Sequence, residues 1–496
     1  MKTIRSSYRA AALIAILLLG LALRLAPWGY NRFLEDEALY AYWGLQIATG
    51  ADPMLDYEPV DKPPLHAYTL ALAFILLGQN ETAARLPSLF ASIASITLLY
   101  ALARRLPSPL GGRAQSTPTA GSGRALLAAL LLALSPFDIL FASTAFTDPL
   151  LTAWVLGALL AAAAGRLGAA GLLAGLAVAT KQQGLLFLPL VIVVWLRLSK
   201  SRRLWKSGWL RFAVGFAVVA GVVIGWDLAR VQRPGFFEQS LVSYGSLEPA
   251  QPQDLGERAF EWLRLVGNFW VSPWFNGLLV GALVGGLVGW WVGWFKMDLA
   301  LAALIVGFLV LHWLLGFQVW DRYLLGLVPL VALLGARAFM RLSGAIRAPS
   351  WRRVYAVGLG LLLVASLAGP VQKAARSELP LGGDHGPYDG IDDLATYVRS
   401  QVPPGAVLYH YWLGYHYRFY LYGAPLRLHW YPNLVDLVHD ATVYRREPRC
   451  IAFPSWQDST PVQAALADAG MSLVPVFETT RRDGTTSFHL YRLEGP

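Results

Sequence analysis

The sequence predicts an all-α polytopic membrane protein with about eleven transmembrane helices and a small C-terminal extracytoplasmic α/β domain. Of its 496 residues, 56% are hydrophobic and only 15% are charged, against about 25% charged residues in a typical soluble protein. Long apolar runs recur between residues 10 and 369, whereas charges and short β-like runs fill the chain after residue 370. This composition excludes a soluble globular enzyme and a disordered chain.

The charges between the apolar runs predict how the chain is oriented. The loops at 104–124, 197–211 and 337–353 hold four, six and five basic residues and no acidic residue. The stretch 27–82 is the reverse, with eight acids and two bases. Because basic loops stay in the cytoplasm, we expect the N-terminus and these loops to be cytoplasmic and 27–82 to be outside. The net charge of +10 is thus explained by topology, and no nucleic-acid partner is predicted.

The apolar runs then place the spans one by one. The run at 10–26 is read as a membrane anchor and not as a cleaved signal peptide, because many further spans follow it. The stretch 65–78 is too short to cross about 30 Å of hydrocarbon comfortably and is read as a helix lying in the outer interface. A polar break at 180–184 separates two short spans, as in broken helices that line a cavity. The spans are 10–26, 84–103, 124–141, 147–164, 167–180, 184–198, 209–228, 274–295, 299–318, 322–340 and 353–370.

Three regions follow from this reading. Residues 1–370 form the multispanning domain, 371–384 a linker and 385–496 an extracytoplasmic α/β domain. In the last region, β-like runs such as 406–409 alternate with helix-like stretches at 391–401 and 461–469, and turn signals separate them. An odd number of spans from a cytoplasmic N-terminus puts this domain outside a multi-pass plasma-membrane protein. The one cysteine, Cys450, excludes an internal disulfide framework and a cysteine-rich metal site.

Acidic residues directly follow the first span. Glu35, Asp36 and Glu37 precede Tyr40 at the start of a helix-forming stretch. Carboxylates at a helix start can simply stabilise the helix end. At the mouth of a membrane cavity, a carboxylate could instead deprotonate a hydroxyl acceptor or stabilise positive charge on a sugar ring.

Cations are predicted on the same side of the membrane. Lys62 lies in a rigid Lys-Pro-Pro turn, where it can contact a phosphate, although a snorkelling lysine is the alternative. Arg85 and Arg322 begin spans from the outside and could be interfacial anchors. Asp148 and Lys181 are ionisable residues in or beside spans, where such groups point to a functional site. Several cations beside several acids on one side would suit a lipid-phosphate leaving group and a hydroxyl acceptor.

In this order, the motifs DEALY, DKPPL, ARLPSLFAS, FTDPL, ATKQQGLLFLPL and DRYLLGLVPLVAL resemble those of the GT-C glycosyltransferases. The similarity is to the protein O-mannosyltransferase and aminoarabinose-transferase type and covers about residues 1–370. The resemblance implies a multispanning fold with a catalytic cavity at the outer leaflet, polyprenyl-phosphate sugar donors and inversion at the anomeric carbon. The chain departs from the family at Gln182 and Gln183, which precede Gly184, and at Asp61, where the aminoarabinose transferases have Glu.

Residue by residue, Asp36 resembles the catalytic Asp of the family, with Glu37 beside it and Asp148 as the second acidic residue. Lys62 resembles the donor-phosphate ligand. Lys181 and Arg322 match positions near the lipid phosphate, and we also expect Arg85 and Tyr40 to contribute to substrate binding. No metal site and no cofactor other than the lipid-linked sugar are expected.

The sequence therefore predicts an inverting membrane glycosyltransferase that moves a sugar from a polyprenyl-phosphate donor to a hydroxyl acceptor in a protein, lipid or envelope glycan. The alternative is a transporter or flippase of lipid-linked sugars, which would also have broken helices and buried charges. Transporters usually have related halves and charges near the middle of the bilayer, and neither feature is found in this sequence. A non-catalytic membrane scaffold is a third reading, against which the clustered acids and bases argue.

Overall fold

A computed structural model describes residues 2–107, 118–198, 205–231, 235–243, 248–288 and 296–495. Within these ranges the chain forms a long helical domain followed by one mixed sheet with flanking helices. The helices of the first domain, numbered α1 to α16 in chain order, are Lys2–Leu25, Glu35–Thr49, Leu65–Leu77, Glu81–Arg105, Pro118–Ala133, Pro136–Phe141, Asp148–Ala163, Leu167–Thr180, Leu188–Leu198, Trp205–Ala229, Phe236–Ser243, Leu255–Gly267, Pro273–Val288, Lys296–Leu314, Val328–Ala345 and Pro349–Ala375.

Helices occupy all eleven positions at which spans are predicted, so the helical membrane fold is confirmed. Six helical segments of the described chain are long and apolar enough to cross a membrane: Ser7–Leu25, Glu81–Arg105, Ser207–Ala229, Met297–Leu314, Asp321–Ala345 and Pro349–Ala375. Shorter apolar helices lie at the other five positions. Residues 289–295 of the span predicted at 274–295, and parts of the basic loops at 104–124 and 197–211, lie outside the described residues.

Small residues let two spans pack closely. A Cβ atom added to Gly171 of α8 would lie 2.0 Å from the carbonyl oxygen of Phe212 in α10, and one added to Gly215 would lie 2.2 Å from the carbonyl oxygen of Gly168. Neither position has room for any side chain. Such contacts between backbones are typical of membrane helices, whose association depends on close packing instead of on the hydrophobic effect.

Two of the spans begin with a turn of 3₁₀-helix. Gln182–Phe187 precedes α9, and Asp321–Leu327 precedes α15. At the first break, a Cβ on Gly184 would lie 2.8 Å from the backbone of Ala177, so this glycine lets the chain fold back against α8. The polar break predicted at 180–184 is thus a change of helix type, and it places Lys181 at the end of α8.

Helices α2 and α3 lie between the first two spans. Helix α2 ends at Gly50, whose φ of 74° is left-handed and suits a glycine. The helices cross closely, because a Cβ on Gly44 would lie 2.6 Å from the Cβ of Leu70. On its other side α3 exposes Leu72, Ile75 and Leu76. A short helix with one packed side and one exposed apolar side agrees with the interfacial position expected for 65–78.

The C-terminal region forms the α/β domain that the sequence predicts. Its five strands, numbered in chain order, are β1 to β5 at Val407–His410, Arg427–Trp430, Arg449–Pro454, Ser472–Thr480 and Thr486–Glu494. They are arranged in the order β2-β1-β3-β5-β4, with β1 parallel to β2 and β3 and with β5 antiparallel to β3 and β4. The accompanying helices, α17 to α20, are Ile391–Gln401, Gly414–Tyr420, Leu434–Val443 and Thr460–Asp468.

This domain packs on the start of α2. The ring Nε2 of His416 lies 2.8 Å from the carbonyl oxygen of Phe33, and the backbone N–H of Arg32 donates to Asp384 Oδ1 at 2.8 Å. Burial raises the pKa of Asp384 to about 6. The hydroxyl of Tyr388 donates to Glu35. The outer domain therefore touches the same helical turn that holds the acidic motif. Helix α16 extends to Ala375, into the stretch 371–384 predicted as a linker.

Candidate active site

The three acids in the first turn of α2 point in three directions. Glu35 meets Tyr388 of the C-terminal domain, Asp36 meets Arg322, and Glu37 lies in the protein interior. Successive residues of an α-helix are turned by about 100° from one another, which explains the divergence. The three acids therefore lie in three different environments, and Asp36 is the one that contacts a cation of the predicted site.

Asp36 and Arg322 form the most open of the ion pairs in the predicted site. Arg322 Nη2 lies 2.5 Å from Asp36 Oδ2, and the exposed fractions of the two side chains are 14% and 36%. The guanidinium also lies over two aromatic rings, 4.9 Å from the centre of Phe146 and 5.8 Å from that of Tyr323. Rings on its sides hold the guanidinium in place without neutralising it.

A second, buried pair lies next to the first. Lys181 Nζ is 2.6 Å from Asp148 Oδ1, and these side chains are 5% and 2% exposed. The same ammonium group lies 4.5 Å from the centre of the Tyr323 ring. Lys181 and Arg322 thus approach one tyrosine from helices that are distant in sequence. Two cations held together in this way are suited to receive an anion with more than one oxygen.

Lys62 joins this group through the loop before α3. Its Nζ lies 2.5 Å from Asp61 Oδ2, and its side chain is 9% exposed. The carbonyl oxygen of Asp61 accepts hydrogen bonds from Gln182 Nε2 at 2.7 Å and from Ser240 Oγ at 2.5 Å. Gln182, at which the chain departs from the family pattern, therefore connects the Lys-Pro-Pro loop to the helix break that carries Lys181.

Tyr40 lies in the wall of the site. It is 3% exposed and packs edge-on against the ring of His66, with 5.6 Å between the ring centres. His66 Nε2 is 2.8 Å from the carbonyl oxygen of Ala145, one residue before Phe146. This packing connects α2 and α3 to the segment that leads into Asp148.

Glu37 and Arg85 form a separate group at the first turn of α2. The Glu37 side chain is fully buried and accepts hydrogen bonds from the backbone N–H groups of Ala145 at 2.7 Å and Leu34 at 3.0 Å. Burial raises its pKa to about 7. Arg85 Nε is 4.0 Å from Glu37 Oε1, and its Nη1 is 2.8 Å from Glu81 Oε2. Glu37 and Arg85 are therefore partners of one another, with Glu81 as the third member of the group.

The cations of the site are balanced by acids. Asp36, Asp61 and Asp148 face Arg322, Lys62 and Lys181 respectively. An entering phosphate could replace a carboxylate only where that carboxylate can turn into solvent. Of these three acids, Asp36 has the most exposed side chain. In the part of the chain that the structure describes, no cluster of three or more His, Cys, Asp or Glu side chains could hold a metal ion.

The sequence did not indicate two kinds of contact in the site. One is the packing of the Tyr323 and Phe146 rings against the cations, and the other is the hydrogen bond from the Gln182 amide that holds the Lys-Pro-Pro loop. Tyr323 and Phe146 lie directly beside predicted residues in the motifs DRY and FTD, and this proximity is the one signal that could have indicated them. Gln182 likewise follows a predicted residue, Lys181, but nothing local indicates its partner Asp61, which is 121 positions away in the chain.

The fold and this ionic site define a polytopic membrane protein with clustered cations and carboxylates at one end of its spans. Residues 61–226, about a third of the chain, match the family model described as dolichyl-phosphate-mannose-protein mannosyltransferase. A search of the curated proteins gave no match.

Two solved structures are similar over nearly their whole length. The crystal structure of ArnT from Cupriavidus metallidurans bound to undecaprenyl phosphate has 17% sequence identity and a TM-score of 0.61, and the match covers 99% of this chain and 98% of that one. The apo-state structure of ArnT from the same organism has 17% identity and a TM-score of 0.65, with 98% of each chain covered. The predicted resemblance to GT-C glycosyltransferases is thus confirmed in the fold throughout and in the sequence pattern of residues 61–226.

Proposed function

We propose that this protein is an inverting membrane glycosyltransferase that moves a sugar from a polyprenyl-phosphate donor to a hydroxyl acceptor outside the cytoplasm. The observation that carries the proposal is the Asp36–Arg322 pair, whose carboxylate is partly exposed, beside the buried Lys181, with both cations over Tyr323. The family match and the fold shared with ArnT support the donor class.

In the proposed reaction, the donor phosphate binds at Arg322, Lys181 and Lys62, and Asp36 turns away from Arg322 toward the acceptor. The acceptor oxygen attacks the anomeric carbon from the side opposite the phosphate. The bond between that carbon and the phosphate oxygen breaks, and its electron pair stays on the polyprenyl phosphate. Asp36 takes the proton of the acceptor hydroxyl as general base, and the fixed cations stabilise the charge that develops on the leaving group. The proposal includes no metal cofactor.

An apolar groove beside the helix break suits the lipid part of such a donor. It has a volume of about 320 Å³ and lies between α9 and α14, with Leu186, Leu190, Phe308 and Leu311 among its lining residues. At this end of α14, Gln183 Nε2 lies 3.0 Å from His312 Nε2. The groove therefore begins about one helical turn from the break that holds Lys181, within reach of a chain attached to a phosphate there.

The proposed orientation puts the N-terminus in the cytoplasm of a plasma-membrane protein and the C-terminal domain outside. Arg124 and Arg337 both donate to the carbonyl oxygen of Pro107, at 3.1 and 2.8 Å, so the basic loops at 104–124 and 337–353 meet at one end of the spans. The candidate site lies at the other end. Basic loops on one side support the cytoplasmic assignment of that side.

Cysteine labelling tests this orientation. In a Cys450→Ala background, Ser207→Cys should resist a membrane-impermeant thiol reagent in intact cells and react once the cells are opened. Ser400→Cys, on the exposed side of α17, is the matched control and should react in intact cells. Labelling of Ser207→Cys from outside would overturn the proposed orientation.

Transfer itself is tested in two steps. A strain that lacks the protein should accumulate a polyprenyl-phosphate sugar detectable by mass spectrometry, and the wild-type chain should reverse this. The purified chain in lipid nanodiscs should then release polyprenyl phosphate from that compound when acceptor is supplied. Movement of the intact lipid-linked sugar across the bilayer without release of polyprenyl phosphate would support the transporter reading instead.

A further inference from the structure

The sheet of the C-terminal domain has a point at which the chain leaves two neighbouring strands in opposite directions. After β1 the chain enters α18, which packs on the same face of the sheet as α17. After β3 it enters α20, which packs on the other face beside α19. Strands β1 and β3 are parallel neighbours, so the loops that follow them separate at one edge of the sheet. In open α/β sheets, ligands bind at the carboxyl ends of the strands at such a point.

Exposed aromatic rings lie where these two loops separate. Trp412, in the loop 411–413 after β1, is 52% exposed, and Trp456, in the loop 455–459 after β3, is 44% exposed. Their ring centres are 6.4 Å apart, and the exposed Tyr411 packs edge-on against Trp412 with 4.8 Å between the ring centres. Single exposed apolar residues are common, but exposed rings in contact with one another form a patch of the kind that marks a binding site. We call these three residues the tryptophan crevice.

The charged groups around the tryptophan crevice do not favour an anionic ligand. Asp458 is the one charged residue in the two loops, and it is exposed. Arg481 donates through Nη2 to a serine hydroxyl of the second loop at 2.8 Å, while its Nε and Nη1 donate to backbone carbonyl oxygens at 3.1 and 2.7 Å. Arg418 and Arg482 contact the helical domain instead. Burial lowers the pKa of His410, at the end of β1, to about 4, so this residue is neutral at pH 7.

The tryptophan crevice adjoins the candidate active site. The ring centre of Trp456 lies 6.3 Å from that of Tyr388, whose hydroxyl donates to Glu35. Glu35 directly precedes Asp36 in the first turn of α2. Adjacent rings therefore lead from Trp412 to the proposed general base, and a short oligosaccharide bound on the indoles could extend toward it.

A neutral sugar suits this surface better than a phosphate or a bilayer does. The apolar C–H face of a sugar ring can pack on an indole while its hydroxyl groups bond to the exposed carboxylate of Asp458 and to the half-buried amide of Gln457. A surface that lies in a bilayer typically carries Lys or Arg on its polar side, and the two loops contain neither.

We propose that the tryptophan crevice binds a neutral carbohydrate chain. In the proposed transfer reaction this chain belongs to the acceptor, and that assignment rests on the proposed function. The binding itself depends only on the exposed rings and the polar groups beside them. The phosphate of the donor binds elsewhere, at the cations around Tyr323.

Ligand-observed saturation-transfer NMR tests this, with the full-length protein in nanodiscs free of sugar-based detergent. The probes are maltotriose, cellotriose and N-acetylchitotriose. At least one should receive saturation from the wild-type protein. Trp412→Ala combined with Trp456→Ala should abolish that signal or weaken the affinity by about tenfold or more. Trp412→Phe keeps an aromatic face and should retain binding.

Tyr397→Ala is the matched control. It removes a ring of α17 that stacks on Phe477 of the edge strand β4, with 4.1 Å between the ring centres. This variant should leave the signal unchanged. Thermal unfolding of each variant confirms that the protein is folded, and Trp456→Ala alone replaces the double variant if the latter unfolds.

Three outcomes would overturn the proposal. Folded wild-type protein that gives no signal with any of the three trisaccharides is the first, and an undiminished signal in the double variant is the second. The third concerns the bilayer. In a Cys450→Ala background, a fluorophore attached at Asp458→Cys should not be quenched by lipids with a nitroxide on the acyl chain, and strong quenching would make the crevice a membrane-inserted surface.

The two proposals fail in different ways. Asp36→Asn should keep the carbohydrate signal, because Asp36 is proposed to act on the acceptor hydroxyl and not on the chain bound at the indoles. Tryptophan-dependent binding by a protein that transfers no sugar would refute the transfer reaction and leave the carbohydrate site. Transfer without tryptophan-dependent binding would refute the carbohydrate site alone.

Discussion

Two groups of ion pairs lie at opposite ends of the segment from Asp321 to Ala345, and they differ in access. At one end, Arg322 meets Asp36, whose side chain is 36% exposed. At the other end, Arg337 and Arg341 both meet Asp298, whose side chain is 9% exposed. Arg337 also donates to the carbonyl oxygen of Pro107, so that end is closed by further protein contacts.

This difference in exposure indicates which ion pairs can take part in ligand binding. Removal of one partner from a buried pair leaves an uncompensated charge in the interior, so it lowers the free energy of unfolding strongly. In the Asp36–Arg322 pair the carboxylate is partly exposed, so it can turn into water while a ligand takes its place beside Arg322. We therefore expect changes at Asp36 to alter the reaction and changes at Asp298 to alter folding.

The largest effect is expected at Asp36. Asp36→Asn keeps the shape of the side chain but cannot accept the proton, so transfer should fall by about 10²–10⁴-fold. The melting temperature should change less than in Asp298→Asn, because the Asp36 carboxylate is partly exposed to solvent whereas Asp298 is 9% exposed. The activity is measured as transfer from a polyprenyl-phosphate sugar by the purified protein. The melting temperature is measured by thermal unfolding in the same detergent.

Glu37→Gln is the control in the neighbouring position. Because Glu37 lies away from the cations of the site, this change should reduce transfer much less than Asp36→Asn does. Full activity in Asp36→Asn would contradict the general-base role. A loss of activity that accompanies a loss of folding would instead place Asp36 with the structural acids.

The second prediction concerns Asp298, which pairs with arginines at the other end of the segment from Asp321 to Ala345. Asp298→Asn removes the partner of two arginines and should lower the free energy of unfolding by roughly 3–5 kcal/mol. Protein that remains folded should transfer sugar at a rate near that of the wild type. Thermal unfolding and transfer per folded molecule measure the two quantities. A stable Asp298→Asn protein with impaired transfer would contradict the prediction that Asp298 affects folding and Asp36 affects the reaction.

A smaller effect is expected at Lys62. Lys62→Ala should weaken donor binding or leaving-group stabilisation by roughly 1.5–3 kcal/mol, the magnitude of a charge-assisted contact. Lys62→Arg should retain part of the activity because the positive charge remains. Rates at several donor concentrations separate binding from the chemical step. If Lys62→Ala transfers sugar as the wild type does, Lys62 is an interfacial anchor and the phosphate site consists of Arg322 and Lys181.

The smallest effect is the pH dependence of stability that Glu37 introduces. Burial raises its pKa from 4.5 to about 7, so the folded protein keeps this proton between those values while the unfolded chain loses it. The contribution is fully present below pH 4.5 and is lost as the pH rises to about 7. In Glu37→Gln, the decrease in melting temperature over this range should be smaller, by a difference on the order of a few °C. Parallel curves for the two proteins would mean that Glu37 is ionised in the folded state.

Much of the fold could be predicted because apolar length, charged loops and turn residues are local properties of the chain. The helix expected at 391–401 is present as Ile391–Gln401, and a helix, Leu167–Thr180, occupies the position of the span expected at 167–180. The site was predictable only as a set of residues. Asp36 and Arg322 are 286 positions apart, and nothing local indicates that they lie in contact.

The sequence by itself determined the membrane class, the spans, the acidic and basic motifs and the family that they resemble, since each depends on composition or on short spacing. Only the tertiary structure decided that Asp36 faces Arg322 while Glu37 is buried beside Arg85. The physical reason is that adjacent residues on a helix point about 100° apart, and which direction meets a cation is set by helices that arrive later in the chain.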